Sequence, residues 1–431
     1  MKGILSNVPV ELKGLINDLR DQALSCGLNA YLVGGFVRDL LLGVKNLDLD
    51  MVIEGDAIGF AQRFAALNKS RIIAHKRFGT ATVLSGSGLK IDFSSARKEA
   101  YVKPAHLPVV SRGSLRDDLY RRDFTINAMA VGLNDGEVID FFSGREDLRH
   151  KKIRILHNLS FRDDPTRILR GIRFEQRFGF RIEVLTLRLI KEAVRLGLLG
   201  KVHPHRLRDD LILILKEEDP VRELKRIEEL AGFEFIHQRL KPNAKTYAYL
   251  RSLEKEIKWF NKSYPGRRCL DTWLIYLTGL IGSLNPEVIR GICLRFGLRK
   301  GEEKRILSFK GLKGVFIREL SSGGIIPSRI FALLEPLSYE TIICLRAKYG
   351  NRALRRNIEN FLEIYNGMCV SISGDDLHCL GLPPGPRYQE IFRQVLNAKL
   401  NGDIKTRAGE LSLIKRLLKI GVKLKCQDKT R

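Results

Sequence analysis

Two neighbouring motifs near the start of the chain place glycines beside alternating carboxylates. Gly34 and Gly35 are followed by Arg38, and then by Asp48 and Asp50 in the pattern Leu-Asp-Leu-Asp. Alternate side chains of an extended strand share one face, so the two carboxylates project the same way and can share a divalent cation. Adjacent glycines let the backbone approach a phosphate closely, and an arginine brings a planar positive charge to it. Together the motifs predict a site for a metal-bound nucleoside triphosphate, although either motif alone is more typical of a turn or a strand edge.

A second charged motif lies at residues 121–127. It contains Arg121, Arg122, Asp123 and Asn127. If a helix begins here, Asp123 and Asn127 share one helical face, with Arg122 beside them. The alternative is an N-cap aspartate followed by ordinary exposed arginines.

A third motif, residues 163–167, has the sequence Asp-Asp-Pro-Thr-Arg, which is typical of a helix start. Pro165 suits the first position of a helix, and Asp164 and Arg167 lie three residues apart. A capped helix start with a salt bridge would also explain this pattern.

In this order, the three motifs resemble those of the class II CCA-adding tRNA nucleotidyltransferase and bacterial poly(A) polymerase family. The resemblance rests on residues 34–39, 48–50, 121–130 and 163–174, and the C-terminal segment is similar to that of longer family members. One residue departs from the pattern, because the family more often has Glu where this chain has Asp163. The resemblance implies that the 3′-hydroxyl of an RNA attacks the α-phosphate of a nucleoside triphosphate and that pyrophosphate leaves.

The resemblance also implies roles for individual residues of the first 150. Asp48 and Asp50 would hold Mg²⁺, a hard cation that prefers carboxylate and phosphate oxygens. Asp92, on a strand between apolar neighbours, would be a third catalytic carboxylate that polarises the attacking hydroxyl or helps to hold the metal. Binding of the triphosphate and ribose would fall to Gly34, Gly35, Arg38, Arg121, Arg122, Asp123 and Asn127.

Base recognition would fall to Asp164 and Arg167. An aspartate accepts a hydrogen bond from the exocyclic amino group of C or A, and an arginine donates to a ring nitrogen or carbonyl, so the pair can imitate a template base. Arg170, Arg173 and Arg177 continue the same segment and are candidate nucleotide or RNA contacts. Each of these arginines is also compatible with a solvated surface.

Hydrophobic periodicity divides the chain into a mixed head and a helical remainder. Up to about residue 150, strands alternate with helices, including a helix at residues 10–26 and a hairpin joined at residues 85–88. Beyond that point, apolar residues recur at three- and four-residue spacing. We predict an α+β fold with a mixed-sheet nucleotidyltransferase head followed by an all-helical neck, body and tail. The predicted domains are the head at 1–150, a neck for base recognition and RNA binding at 151–235, a body at 236–370 and a tRNA-binding tail at 371–431.

The connection at residues 96–115 is long and polar for a compact domain, and such connections are more often functional than accidental. In the family, a flexible loop in this region helps to switch the site from C to A, and enzymes that add only C tend to have it shortened or altered. Its presence argues against a C-only enzyme.

The chain carries a large excess of positive charge. Its 75 Lys+Arg against 49 Asp+Glu give a formal net charge of +26 at pH 7. Clustered lysines and arginines bind nucleic acid by releasing counterions from the phosphate backbone, so we expect a polyanionic partner. A generally basic proteome or a demand for solubility is the alternative.

The remaining composition points to a reducing compartment. Seven scattered cysteines form no C-x-x-C pair and predict reduced thiols, neither a disulfide framework nor a zinc site. The N-terminus has no long apolar run after Lys2, and the most apolar later segment, residues 273–284, is too short to span a bilayer. We therefore expect a cytoplasmic protein that does not cross a membrane.

Together these observations predict a template-independent nucleotidyltransferase that builds or repairs the 3′-terminal CCA of tRNA from CTP and ATP, with Mg²⁺ as cofactor. Two enzymatic alternatives share every residue named above: an enzyme that adds only A to tRNA, and a poly(A) polymerase. A non-catalytic RNA-binding protein is the third alternative. The three carboxylates Asp48, Asp50 and Asp92 speak against it, because concentrated negative charge gains nothing when it faces RNA.

Overall fold

The computed structural model describes residues 3–86 and 88–427, with side chains described as far as residue 418. The chain forms two compact units, Met1–Leu240 and Lys241–Arg431. We call them the first unit and the second unit and describe each by itself.

The first unit is built on a seven-stranded mixed sheet. The sheet has the strand order β3-β4-β5-β2-β1-β8-β9, in which β2 and β5 are parallel and all other neighbours are antiparallel. Two small pairs accompany it, β6 with β7 and β10 with β11. The strands are β1 (Asn29–Val33), β2 (Leu49–Glu54), β3 (Arg71–His75), β4 (Thr80–Leu84), β5 (Lys90–Ser95), β6 (Arg97–Ala100), β7 (Val109–Arg112), β8 (Ala130–Gly132), β9 (Val138–Ile139), β10 (Lys152–Ile153) and β11 (Arg181–Ile182).

Along the chain, helices lie before, between and after the strands of this sheet. Short 3₁₀ turns occupy Gly3–Asn7, Lys76–Phe78, Thr125–Asn127 and Leu198–Lys201. The α-helices are α1 (Val10–Ser25), α2 (Gly35–Leu41), α3 (Ala57–Leu67), α4 (Leu115–Tyr120), α5 (Gly144–Arg149), α6 (Ser160–Asp163), α7 (Arg167–Phe178), α8 (Val184–Arg195), α9 (Pro204–Leu215) and α10 (Pro220–Leu230).

The core of the sheet explains why the strands hold their register. Buried apolar side chains occupy alternate positions in β2 (Leu49, Met51, Ile53) and in β5 (Ile91, Phe93), and Phe60 and Phe64 of α3 lie 5.8 and 6.2 Å from the ring of Phe93. A slip of one residue would turn these side chains to the opposite face of the sheet. The same alternation therefore determines which face carries the polar residues of β2 and β5.

The structure confirms the predicted fold class and several predicted elements. The helix expected at residues 10–26 is α1, and the expected hairpin is β4 with β5. The connection at residues 96–115 differs from the expectation, because β6 and β7 pair within it as an antiparallel hairpin. Arg97 and Glu99, at alternate positions of β6, form hydrogen bonds with the Phe78 carbonyl and with Arg121, which lie outside the hairpin. These contacts order the segment.

The second unit is entirely helical over its described residues, apart from turns and connecting segments. A π-helical turn at Phe361–Tyr365 follows α18. The helices are α11 (Ala244–Ser263), α12 (Thr272–Ile281), α13 (Pro286–Arg295), α14 (Lys300–Lys310), α15 (Gly314–Leu320), α16 (Pro327–Leu334), α17 (Tyr339–Tyr349), α18 (Arg352–Asn360), α19 (Gly374–Cys379), α20 (Pro386–Leu400) and α21 (Arg407–Gln427).

The most apolar segment of the chain is a buried core helix. Every residue of α12 after Thr272 is buried. In the described part of the chain, no helix is both long and apolar enough to cross a membrane. The six cysteines with described side chains are free thiols. The side chains of the basic tail residues Lys419, Lys423 and Lys425 lie outside the described residues, so tRNA binding by the tail at 371–431 stays a prediction.

Candidate active site

One cleft of about 680 Å³ in the first unit gathers almost all the residues that the sequence singled out. Asp92 is the exception, and it lines a smaller adjoining pocket together with Asp50, Arg121 and Arg122. The predicted residues that line the main cleft are Gly34, Gly35, Arg38, Asp48, Asp50, Arg121, Arg122, Asp123, Asn127, Asp164, Arg167, Arg170, Arg173 and Arg177.

The three predicted carboxylates lie on neighbouring strands. Asp50 on β2 is the register partner of Asp92 on β5, and the exposed Asp48 immediately precedes β2. Burial raises the pKa of Asp50, and Asp92 and Asp48 raise it further, while Arg122 opposes the shift. Within the described residues, the Asp50 carboxylate forms no hydrogen bond or ion pair. The strand alternation thus leaves a partly buried negative charge without a direct partner.

The donor set around Asp50 fits a hard cation. Thr82 Oγ1 donates to Asp92 Oδ1 at 2.5 Å, and Lys90 pairs with Asp92 Oδ2. Among the described residues, the carboxylate oxygens of Asp48 and Asp50 have no hydrogen-bond or ion-pair partner. The described residues contain no group of three or more His, Cys, Asp or Glu side chains arranged to hold a metal ion. A Mg²⁺ ion binds few protein carboxylates and takes its other ligands from water and phosphate, which agrees with two donors.

Gly34 brings the backbone close to this carboxylate. Its φ of +71° lies in the left-handed region. A Cβ atom here would lie 2.7 Å from Arg122 Nη1 and 3.6 Å from Asp50 Oδ2. Any side chain would therefore strain the turn and displace the arginine.

Arg38 lies deeper than the sequence suggested. It is 5% exposed, its Nε and Nη2 contact Asp39, and its Nη1 donates to Asn127 Oδ1 at 2.6 Å. The guanidinium also lies over the ring of Phe178, 4.7 Å from its centroid. Burial lowers the pKa of Arg38, although Asp39 opposes this shift. Three of its five N–H groups are used within the protein, so at most two can reach a phosphate.

Arg121 and Arg122 are both anchored on Asp118, which the sequence analysis did not single out. Asp118 is fully buried; Arg121 Nη2 and Arg122 Nη2 lie 2.6 and 2.9 Å from its two oxygens. Burial alone would raise the pKa of Asp118, but the two guanidinium groups outweigh it and lower the pKa. An acid three and four residues before two arginines is a signal that the sequence did carry.

The segment that follows is not the helix start that residues 121–127 suggested. The α4 helix ends at Tyr120, Phe124 is extended and a 3₁₀ turn covers Thr125–Asn127. Asp123 and Asn127 nevertheless meet, because Asn127 Nδ2 donates to Asp123 Oδ1 at 2.9 Å. The N-cap alternative is wrong as well, since Asp123 is buried and caps no helix.

Asp123 also forms an ion pair with Arg170 of α7. Its Oδ2 lies 2.6 Å from Arg170 Nη2. Burial would raise the pKa of Asp123, but Arg170 and a hydrogen bond from Asn127 lower it. This ion pair joins two of the predicted motifs in one wall of the cleft.

The two residues predicted to recognise the base are held rigidly. Asp164 Oδ1 accepts hydrogen bonds from the N–H and the Oγ1 of Thr166, at 3.0 and 2.7 Å, and its Oδ2 pairs with Arg206 at 2.7 Å. Arg167 donates to Ser160 Oγ at 2.6 Å and to the Arg121 carbonyl at 2.8 Å. The α7 helix begins at Arg167 and not at Pro165, which lies in the preceding turn.

Several residues from distant parts of the chain complete the walls. Arg173 Nε and Arg177 Nη1 both contact Glu217, at 2.6 and 3.5 Å. On the β6–β7 hairpin, Glu99 accepts hydrogen bonds from Arg121 and Tyr101 at 3.1 and 3.0 Å. Glu99 and Arg206 line the cleft, whereas Glu217 supports Arg173 and Arg177 from outside its lining and was not singled out by the sequence motifs.

Sequence comparison with known proteins identifies relatives in the family that the motifs resemble. Residues 30–154 match the model of the Poly A polymerase head domain. The A-adding tRNA nucleotidyltransferase of Halalkalibacterium halodurans is 33% identical over 410 residues, which cover 92% of this chain and 90% of that protein. The A-adding tRNA nucleotidyltransferase of Geobacter sulfurreducens is 40% identical over 420 residues, or 95% of this chain. This chain covers only 48% of the Geobacter protein, so it spans about half the length of that relative.

Solved structures share the fold over nearly the whole chain. A CCA-adding enzyme in its apo form II has a TM-score of 0.77 and 34% identity, covering 96% of this chain and 97% of its own. The Thermotoga maritima CCA-adding enzyme, solved in complex with tRNA, has a TM-score of 0.72 and 33% identity over the same shares.

Proposed function

Because the chain belongs to the tRNA nucleotidyltransferase family, we propose that it adds the terminal A to the 3′ end of tRNA, with ATP as the nucleotide donor. The observation that carries the general reaction is the cleft itself, which is lined by Asp48, Asp50 and the Gly34 turn together with the pair Asp164 and Arg167. The restriction to A rests on the two A-adding relatives, whose matches cover at least nine-tenths of this chain.

Addition of the full CCA from CTP and ATP is the second candidate. The likeness to CCA-adding enzymes over 96% of the chain supports it. An aspartate and an arginine can pair with either C or A, so the chemistry of the cleft is compatible with both reactions. The cleft alone does not favour a long poly(A) product.

In the proposed reaction, Asp48 and Asp50 would hold a divalent cation such as Mg²⁺. That ion would supply positive charge to the reacting phosphates and to the attacking oxygen. The buried Nε of Arg122 has no hydrogen-bond partner among the described residues, and its Nη1 lies at the Gly34 turn, so Arg122 would donate to the triphosphate. Asp92 would accept a hydrogen bond from the RNA 3′-hydroxyl once Lys90, which is half exposed, moves from its Oδ2.

Recognition of the base would use groups that the protein already orients. Asp164 Oδ2 would accept from the exocyclic amino group, sharing its lone pairs with Arg206. Arg167 would donate to a ring nitrogen from a side chain fixed by Ser160 and the Arg121 carbonyl. A prealigned pair loses little conformational freedom when the nucleotide binds.

The test uses three tRNA substrates, which end before CCA, after C and after CC. Labelled ATP and CTP are supplied singly and together with Mg²⁺, and the products are resolved at single-nucleotide length. Addition of one A to the CC-ended tRNA alone would support the proposal, whereas two C additions followed by A would establish the second candidate. Long A tails on unrelated RNA would indicate a poly(A) polymerase, and no incorporation with any substrate would contradict all three.

A further inference from the structure

A cleft of about 800 Å³ in the second unit is lined mainly by arginines of α18. Arg352, Arg355 and Arg356 lie three and four residues apart, so they share one side of the helix. Arg352 and Arg356 are exposed, and Arg355 is about half exposed. The complete lining is Gly350, Arg352, Ala353, Arg355, Arg356 and Glu359.

The acidic residues near this cleft are already neutralised. Glu256 is buried and contacts both Arg346 and Arg355, with 3.0 Å between its Oε1 and Arg355 Nη2. Glu359 lies 2.6 Å from the other terminal nitrogen of Arg346. Arg346 and Arg355 thus pair with the two glutamates, and the excess positive charge lies at Arg352 and Arg356.

The arginine N–H groups of this cleft that have no acidic partner indicate a binding site for an anion. Arg352 forms no ion pair with any described residue, and Arg356 contacts only the carbonyl of Gly323, at 3.3 Å. The buried Nε of Arg355 has no hydrogen-bond partner in the described part of the chain. Buried donors are nearly always satisfied in folded proteins, so an orphan N–H beside two uncompensated guanidinium groups is a place for an acceptor.

Packing around Arg346 and Gly350 fixes the position of Arg355. Arg346 is buried and lies over the ring of Trp259, 3.5 Å from its centroid. A Cβ atom on Gly350 would lie 2.8 Å from Arg355 Nη2, so the missing side chain lets this arginine lie against the backbone. Arg355 is therefore positioned before any ligand arrives.

We propose that this α18 cleft binds phosphate groups of an RNA backbone, through residues other than those of the candidate active site. A guanidinium group matches the geometry of phosphate oxygens and keeps its charge at every physiological pH. The identity of the RNA as tRNA rests on the proposed function, but phosphate binding by the cleft does not.

The test measures binding of labelled tRNA by fluorescence anisotropy at several salt concentrations. The double variant Arg352→Glu/Arg356→Glu is compared with Arg290→Glu/Arg299→Glu, which makes the same charge change at exposed arginines of the same unit outside both the cleft and the predicted tail. We expect the cleft variant to bind about tenfold more weakly and to lose up to about two units from the slope of log K against log salt, because each phosphate contact contributes about 0.7 to 0.9. Equal weakening by both variants, or no weakening, would overturn the proposal.

Two further measurements separate the sources of phosphate and guard against misfolding. Arg352→Lys/Arg356→Lys keeps the charge and should bind tRNA within about threefold of the unaltered protein. Titration with inorganic phosphate and with ATP should show only weak binding at this cleft. Tight binding of either compound that the Glu variant abolishes, with tRNA affinity unchanged, would assign the cleft to a small ligand and overturn the RNA proposal.

Kinetic measurements of nucleotide addition distinguish a failure of this proposal from a failure of the proposed function. At saturating tRNA, the Arg352→Glu/Arg356→Glu variant should keep its kcat, while its KM for tRNA rises about tenfold. If the unaltered protein adds no nucleotide, the proposed function fails, and the anisotropy comparison still decides whether the α18 cleft binds RNA.

Discussion

Asp164 and Arg206 form an ion pair in the wall of the candidate active site, with 2.7 Å between Oδ2 and Nη2. Asp164 precedes α7 and Arg206 lies on α9, so the contact depends on how these helices pack. Thr166 holds the other oxygen of the same carboxylate at 2.7 Å. The orientation of the proposed base-recognition residue is therefore set by two partners that do not themselves need to touch the base.

Replacement of Arg206 should reduce discrimination between nucleotides. In Arg206→Ala, Asp164 loses a charged partner, and a hydrogen bond to a charged group is worth roughly 1.5 kcal/mol, or about tenfold in a rate ratio. We expect the ratio of kcat/KM for ATP to that for CTP on CC-ended tRNA to fall by about this factor. Arg208→Ala, on the same helix outside the cleft, should leave the ratio unchanged. Equal losses for both nucleotides would mean that Arg206 does not act through base recognition.

Neutralising Asp50 should abolish nucleotide addition without harming the fold. Asp50→Asn removes a carboxylate proposed to hold the cation, and loss of that charge stabilisation should cost at least about 100-fold in kcat. Because burial and nearby carboxylates raise the pKa of Asp50, its ionised form is unfavourable, so the melting temperature should rise or stay the same. Asp18→Asn, at an exposed position on α1, serves as the control. Activity within a few fold of the control would remove Asp50 from the metal site.

Asp118 should act as a positioning residue for the two arginines of the cleft. In Asp118→Ala, Arg121 and Arg122 lose a shared buried anion, and breaking such a pair costs about 3 kcal/mol of stability or more. Asp118→Asn keeps one hydrogen-bond acceptor and should fold better. We expect it to raise the KM for ATP more than it lowers kcat, as measured by steady-state kinetics. An unchanged KM beside a lowered melting temperature would leave Asp118 with a purely structural role.

The stability of the protein should depend on the ionisation of Glu223. Glu223 is buried on α10, and burial together with Glu217 raises its pKa to about 9 from an ordinary value of 4.5. A carboxyl that binds its proton more tightly when folded contributes stability that is fully present below pH 4.5 and is lost as the pH rises through about 9.

A variant that lacks this titrating carboxyl should therefore show a weaker dependence of melting temperature on pH. Glu223→Gln should gain melting temperature relative to the unaltered protein, and the gain should grow between pH 5 and about pH 9. The exposed Glu228→Gln, on the same helix, should follow the unaltered protein throughout. Parallel profiles for all three proteins would show that Glu223 does not titrate in this range.

Several parts of the site could be predicted because they depend on short stretches of chain. Alternation along a strand places Asp48 and Asp50 on one side wherever the strand lies, and the glycine pair predicts the close backbone approach that Gly34 makes. Asp118 belongs with these residues, because its spacing from Arg121 and Arg122 is local and was visible in the sequence.

The sequence by itself thus determined the α+β head, the helical remainder and the chemical types that line the cleft, since local periodicity decides both secondary structure and the face that each side chain occupies. Only the tertiary structure decided which charged groups of the cleft are already bonded within the protein and which can bind a ligand. Arg38 is partly occupied by Asn127 and covered by Phe178, and Asp164 is held by Arg206, through contacts between segments far apart in the chain. Such contacts form when helices pack on the sheet, and no short-range pattern specifies which distant side chain a buried guanidinium or carboxylate will meet.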